Sequence, residues 1–335
     1  MGITIIFIRV SMKVDFIIFI RLSVLTTLAF FSTLVAAESA TSSFIAIGDL
    51  PYNQKQRTIL YEGIIPSLHK INPPFVIHFG DFKTSSMPCN NKVYSDHLHF
   101  LNTLAQGPVF YTPGDNEWTD CDAVEPKKHK YSELERLKKL REILFSQPPK
   151  GASNLKWKSQ QFYPENQRWE HESVLYSTLH IVGTGNGRQK IFVDDRELAI
   201  KEVDLRDNAN INWLKQAFSE QKQNKLSAMV IVFHGDITQT IPCETKNCDP
   251  FIRYKKTLLN LAALTSVPIL LIHGDTKPYC IQENFLGLDK VWRLNAPGDF
   301  SLIDAVRVKV TPSNDKEPFY IRSIIKDLAP EICER

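Results

Sequence analysis

Short apolar runs recur along the chain, and each stops at a residue able to bind a cation. Phe44-Ile45-Ala46-Ile47 runs into Gly48-Asp49, and Phe75 to Phe79 runs into Gly80-Asp81. Val109 to Tyr111 leads to Pro113-Gly114-Asp115. Ala228 to Phe233 ends at His234, and Pro268 to Ile272 ends at His273-Gly274-Asp275. Continuous apolar runs of this length read as strands buried on both faces. Between them lie segments with helical spacing: about Gln54 to Lys70, Tyr94 to Ala105, Ser132 to Phe145, Asn210 to Gln223 and Phe251 to Leu264. Ser132 and Glu135 form a capping box at the start of one of these helices. Val174 to Val182 reads as a further strand, and the tail from Trp292 to Ile325 as several strands and turns. Leu155 to Trp169 is irregular and aromatic. Strand–helix alternation predicts a layered α/β fold. No internal repeat or linker interrupts it, so residues 38–335 read as a single domain.

The first part of the chain has a different character. Arg9, Lys13 and Arg21 precede an apolar run from Leu22 to Val35, and Val35-Ala36-Ala37 supplies small residues after it. That order is the signature of a secretory signal peptide, here residues 1–37, cleaved after Ala37. The apolar run is shorter than the roughly 20 residues of a membrane span, so no stable span is expected after cleavage. An uncleaved anchor is the alternative, and Met12-Lys13 is an alternative start. The expected location is secreted or periplasmic.

Charge adds little. The formal net charge is +3 over 335 residues, and the leader carries three of the basic residues against one acid, Asp15. No basic face points to nucleic acid. The six cysteines are Cys89, Cys121, Cys243, Cys248, Cys280 and Cys333. An even count in an exported chain favours disulfides, with connectivity left open. Cys243 and Cys248 are close enough to pin a local loop. A Cys89–Cys121 pair would tie together two of the loops that follow the carboxylates.

The aspartates and histidines carry the chemistry. In open α/β sheets, ligands bind outside the carboxyl ends of the strands, and carboxylates and imidazoles converging there can hold divalent ions. Two such ions about 4 Å apart can clamp a phosphate and stabilise its attacking and leaving oxygens. Taken singly, Gly-Asp after a strand is ordinary turn chemistry; a series of such strand ends is harder to assign to turns.

Gly48-Asp49, Gly80-Asp81, Gly114-Asp115-Asn116-Glu117, His234 and Gly274-Asp275-Thr276-Lys277 resemble the ordered blocks of the calcineurin-like metallophosphoesterases. The run Tyr111 to Cys121, with Glu165 to Trp169 and Gly48 to Tyr52, is similar to an exported subgroup of that superfamily. The resemblance covers roughly Phe44 to Tyr279. It implies an α/β/β/α sandwich of two mixed sheets flanked by helices. It also implies one or two divalent ions (Mn, Fe, Zn or similar) and a small phosphoester substrate. Asp49 would bind the first metal and Asp81 would bridge. Asp115 and His234 would bind the second, with Asp275 at a further ligand position. His273, at its strand end, is a candidate ligand or a structural histidine. Asn116 falls where the family has a catalytic histidine. Pro51 and Lys277 replace two further histidines, so the first metal site looks impoverished. Lys277 and Arg168 are candidates to counter phosphate charge.

Other residues carry blander readings beside functional ones. His78 and His180 read as core. Gly183 to Gly187 reads as a turn, with an anion-binding nest beside Arg188 as the alternative. Lys127, Lys128 and Lys130 read as a solvated face, Trp118 as packing, and Glu117 as a residue that shapes the site loop. The expected activity is metal-dependent hydrolysis of a phosphomonoester or phosphodiester outside the cytoplasm. The alternative is a secreted pseudoenzyme or binding protein with a degraded metal site.

Overall fold

The computed structural model describes residues 2, 41–122, 131–242, 247–314 and 316–334. The expected leader, Cys243 and the Lys127, Lys128 and Lys130 cluster lie outside the described residues. The strands, in chain order, are β1 (Ser42–Ile47), β2 (Val76–His78), β3 (Val109–Tyr111), β4 (Lys158–Gln160), β5 (Tyr163–His171), β6 (Val174–Thr178), β7 (Ala228–Val232), β8 (Ile241–Pro242), β9 (Asn247–Cys248), β10 (Ile269–His273), β11 (Cys280–Gln282), β12 (Val291–Asn295), β13 (Val306–Val310), β14 (Phe319–Ser323) and β15 (Glu331–Ile332). The helices are α1 (Gln54–Ile59), α2 (Ile65–Ile71), α3 (Asn91–Leu104), α4 (Glu133–Leu144), α5 (Arg196–Gln223) and α6 (Ile252–Ala262). A π-helical turn, Leu60–Ile64, joins α1 to α2.

Among the described residues, one sheet has the order β14-β13-β1-β2-β3 and a larger one the order β15-β11-β12-β10-β7-β6-β5-β4. In the first, β1, β2 and β3 run parallel while β13 and β14 are antiparallel. In the second, β12, β10, β7 and β6 are parallel, and β5 and β4 return antiparallel. Both sheets are therefore mixed.

Side-chain alternation sorts the core into layers. Phe44 and Ala46 of β1 face a central core shared with Val230 and Val232 of β7 and Leu270 and Ile272 of β10. The intervening Ile45 and Ile47 face α1 to α4, while Met229, Ile231, Ile269 and Leu271 face α5 and α6. This is an α/β/β/α sandwich, and it explains why the strands read as unbroken apolar runs: both faces of each are covered. Aromatic rings fill the centre, with Phe110 stacked on Trp169 at 3.6 Å between centroids and Phe75 edge-on to Tyr176 at 4.8 Å. Among the described residues no helix is long and apolar enough to cross a membrane.

Several elements differ from the sequence expectation. Helix α5 begins at Arg196, fourteen residues before Asn210, because Asp195 caps it by accepting from the Leu198 N–H at 2.8 Å. Its polar N-terminal half hides the helical period. The irregular aromatic stretch from Leu155 contains β4 and most of β5. The expected strand from Val174 ends at Thr178 rather than Val182.

Two disulfides are described, Cys89–Cys121 and Cys280–Cys333. The first joins the loops after β2 and β3, one of the pairings the sequence leaves open. The second anchors the C-terminal strand β15 beside β11. Cys248 is also disulfide-bonded.

Candidate metal centre

The parallel strands β1, β2 and β3 of one sheet and β7 and β10 of the other end at a common edge. Each delivers a metal-capable side chain within a few residues of its end. Asp49, Asp81 and Asp275 do so from the left-handed backbone region, with φ of 54°, 55° and 67°. That conformation is costly for a residue with a Cβ and concentrates at functional sites. It ends the strand and turns the carboxylate toward the other sheet.

The result is two overlapping groups of ligand atoms. Asp49, Asp81 and His234 form one, and Asp115, His234 and Asp275 the other, with the atoms of each group within 4.8 Å of one another. His234 Nε2 lies 3.5 Å from Asp81 Oδ1, 3.5 Å from Asp115 Oδ1 and 3.9 Å from Asp275 Oδ1. Its Nδ1 donates to the Phe79 carbonyl at 3.1 Å, which directs Nε2 into the carboxylates. That Nε2 is buried and has no hydrogen-bond partner. Buried polar atoms are seldom left so, and a lone pair fixed by a hydrogen bond on the opposite ring nitrogen is how imidazole presents itself to a metal. The donor set fits a divalent cation.

Three glycines make the convergence possible. A Cβ on Gly274 would lie 1.9 Å from Asp49 Oδ2, one on Gly114 2.0 Å from Asp81 Oδ1, and one on Gly183 2.5 Å from Asp115 Oδ2. Hydrogen bonds then aim the carboxylates. The Tyr52 hydroxyl donates to Asp81 Oδ2 at 2.8 Å and to Asp49 Oδ1 at 3.2 Å. The Asn116 N–H donates to Asp81 Oδ1 at 3.1 Å, and its amide group donates to Asp81 Oδ2. The Asp275 N–H donates to Asp49 Oδ2 at 3.1 Å, and the Thr184 hydroxyl to Asp115 Oδ2 at 2.7 Å.

Without a cation the cup is electrostatically strained. Burial raises Asp49 to about 6, opposed by His234. Burial and the neighbouring Asp115 raise Asp275 to about 7. Asp81 is raised well above the carboxylate range by burial and by Asp115, Glu117 and Asp49, against His234. Burial opposes charge on His234, but Asp81, Asp49, Asp115 and Asp275 outweigh it and raise its pKa. Asp115 alone is lowered: burial acts against its charge, and the facing His234 and the Thr184 hydroxyl prevail. Protons stand where a cation would.

The structure places the other candidates as follows. His273 lies beside the cup but does not present a nitrogen to it. Its Nδ1 bonds the Gly274 carbonyl at 2.8 Å and its Nε2 meets Arg293 Nη1 at 3.0 Å, so neither nitrogen faces the carboxylates. Arg168 pairs with Glu220 at 2.8 Å and lies over the Trp213 ring, contacts that belong to α5 and not to the cup. Lys277 is exposed, two residues beyond Asp275. Its charge reaches Asp299, whose N–H donates to the Asp49 carbonyl at 3.1 Å. Asn116 binds Asp81. His234 is common to both groups, but its one free nitrogen serves a single ion, so a bridge between two ions would fall to a carboxylate, which the resemblance implies is Asp81.

Glu117 accepts from Phe82 and Gly114 N–H at 2.8 Å each, stapling the loops after β2 and β3. His78 and His180 are core residues, the latter bonded to Glu165 at 2.7 Å. Gly183–Gly187 is a left-handed turn, with φ of 52°, 63° and 58° at Thr184, Gly185 and Asn186. Its Arg188 pairs with Asp204 and Asp207. Thr184 and Asp299 carry no signal in the sequence.

No family model matches the chain, and no curated protein matches it. Among solved structures, one described as "GAP50 the anchor in the inner membrane complex of Plasmodium" is 12% identical, with a TM-score of 0.43, covering 88% of this chain and 90% of that one. A second, TT1561 of Thermus thermophilus, is 13% identical, with a TM-score of 0.39, covering 85% and 99%. Likeness this weak assigns neither family nor function.

Proposed function

We propose that the chain is a hydrolase of phosphomonoesters or phosphodiesters, dependent on divalent metal and acting outside the cytoplasm. The observation that carries this reading is the buried, unpartnered Nε2 of His234 among carboxylates from four other strand ends. Either Asp49, Asp81 and His234 or Asp115, His234 and Asp275 would hold an ion, the one free nitrogen of His234 serving one ion at a time. Such ions supply concentrated positive charge for a phosphate and for the oxygens that attack and leave. The chain's own residues prepare the site. Tyr52 and Asn116 fix both oxygens of Asp81, Thr184 fixes Asp115, and the exposed Lys277 adds a cation at the rim to counter phosphate charge. The disulfides fit an oxidising compartment.

The test is cleavage of a chromogenic phosphoester panel by the chelator-stripped protein reloaded with Mn²⁺, Fe²⁺, Zn²⁺, Ni²⁺ or Mg²⁺. Turnover that follows the metal and is lost in Asp81→Ala supports the reading. Tight metal binding with no turnover across ester classes supports the second reading, a secreted binding protein. Asn116 favours that alternative, because its amide is engaged with Asp81 and has no acidic proton to give a leaving oxygen.

A further inference from the structure

The chain passes from β12 in the larger sheet to β13 in the smaller one beside the cup, and this crossing is fastened to a ligand. The Asp299 N–H donates to the Asp49 carbonyl at 3.1 Å, and the Ser301 N–H to the Gly298 carbonyl at 2.9 Å. Gly298 has a φ of 147°, and a Cβ there would lie 2.5 Å from the Asp49 Cβ. Only glycine fills such a position. Asp299 and Phe300 then both stand in the left-handed region, with φ of 42° and 61°.

For a side chain as bulky as phenylalanine that conformation is an outlier, and such strain collects at ligand clamps. Burial of the ring does not offset it, because Phe300 is 65% exposed. A lone exposed apolar side chain is ordinary; one held out by strained backbone, in a loop bonded to a metal ligand, is not. Its ring meets that of Tyr52 at 5.2 Å between centroids, with the planes tilted by 41°. The Tyr52 hydroxyl donates to Asp49 and Asp81, so one tyrosine ring separates Phe300 from the carboxylates.

We propose that Phe300 is a stacking platform for the ester group of the substrate, so that the site takes phosphoesters carrying a flat aromatic ring, aryl or nucleobase. This rests on the reading above that the cup holds the phosphate of an ester. The ring leaves the cup past Tyr52 and lies on the exposed Phe300. Aromatic stacking tolerates any partner with a π-face, which is why the chemistry shared by aryl and nucleoside esters is what the platform selects. A purely alkyl ester leaves Phe300 in water.

The experiment uses the full chain loaded with Mn²⁺ and titrated by calorimetry with phosphonates, whose P–C bond is not an ester and is not turned over. The probes are methylphosphonate, benzylphosphonate and cyclohexylmethylphosphonate. Benzylphosphonate should bind about 5- to 150-fold more tightly than methylphosphonate, the range for stacking one ring, and more tightly than the puckered cyclohexyl compound of the same reach. The methylene-phosphonate isostere of adenosine 5′-phosphate makes the same comparison for a nucleobase. A ring advantage in either case that is lost in Phe300→Ala and kept in Phe300→Trp supports the proposal and shows which ring is taken. Ring compounds that bind no more tightly than methylphosphonate, or a ring advantage that survives Phe300→Ala, overturn it. Failure of the hydrolase reading looks different. A ring advantage through Phe300 with no ester turned over removes hydrolysis and leaves the platform; turnover of esters with no ring advantage does the reverse.

Discussion

Gly183 stands where the second group of ligands has no room for a methyl. A Cβ there would lie 2.5 Å from Asp115 Oδ2 and 2.6 Å from Asp275 Oδ1. Carbon and oxygen sit comfortably at about 3.3 Å, so in Gly183→Ala each carboxylate must retreat by about 0.7 Å. Gly183 is not among the residues of positive φ, so alanine meets no backbone penalty and the wedge is the whole effect. Metal sites tolerate ligand displacements of about 0.2 Å. Cation affinity should fall about 10–100-fold, or about 1.4–2.8 kcal/mol. The fold should survive, because moving Asp115 and Asp275 apart relieves repulsion in the metal-free protein. The assay is Mn²⁺ titration of stripped protein, following free Mn²⁺ by electron paramagnetic resonance, with melting curves recorded without metal. A folded Gly183→Ala protein that binds Mn²⁺ as tightly as the parent would refute the idea that Asp115 and Asp275 act as ligands together.

Three further outcomes are expected. Asp49 and Asp275, raised to about 6 and about 7, bind protons more tightly folded than unfolded. The metal-free protein should therefore lose stability as pH rises from about 4 to 7, and His234, also raised, acts in the same direction. Divalent metal replaces those protons, so the rise in melting temperature on adding Mn²⁺ should grow with pH; a metal effect independent of pH would contradict this. Replacing Cys89 and Cys121 by alanine opens a loop spanning 32 positions and should cost about 3–4 kcal/mol in denaturant melts, with metal affinity reduced because both site loops loosen. Arg168→Ala should destabilise by about 2–3 kcal/mol through its lost contacts to Glu220 and Trp213, yet leave Mn²⁺ affinity unchanged; weakened Mn²⁺ binding would restore it to the site.

The cup was legible because burial and chemistry alternate in short order. A strand covered on both faces must be apolar throughout, so Asp49, Asp81 and Asp115 stand out at its end, and their meeting follows from parallel neighbours in one sheet. What joins residues remote in sequence left no trace. Arg168 reads equally as a phosphate-orienting cation or an ion pair until Glu220, 52 positions on, is placed beside it, and His273 as a ligand or a structural histidine until Arg293 of β12 occupies its Nε2. The turn expected at Gly183–Gly187, with an anion nest as its alternative, shows the same limit from the other side. Its glycines do permit a left-handed turn, but Gly183 admits the carboxylates of Asp115 and Asp275, and the turn's charge is supplied by α5.

The left-handed aspartates follow a physical logic. Glycine would make the same turns at Asp49, Asp81 and Asp275 without the strain, of order 1 kcal/mol or more per residue, but glycine has no ligand to offer. Aspartate is among the few residues that both tolerate the conformation and carry a metal-binding oxygen. Its short side chain also leaves the carboxylate where the turn puts it, whereas glutamate would swing away. Backbone strain and carboxylate repulsion therefore fall on the same residues, and both must be offset by packing of the strands, whose β1, β7 and β10 side chains are almost fully buried. A cation removes the repulsion but leaves the strain. Cation binding should then stabilise the fold without relaxing those turns, which is the behaviour expected of a site held open in advance of its ion.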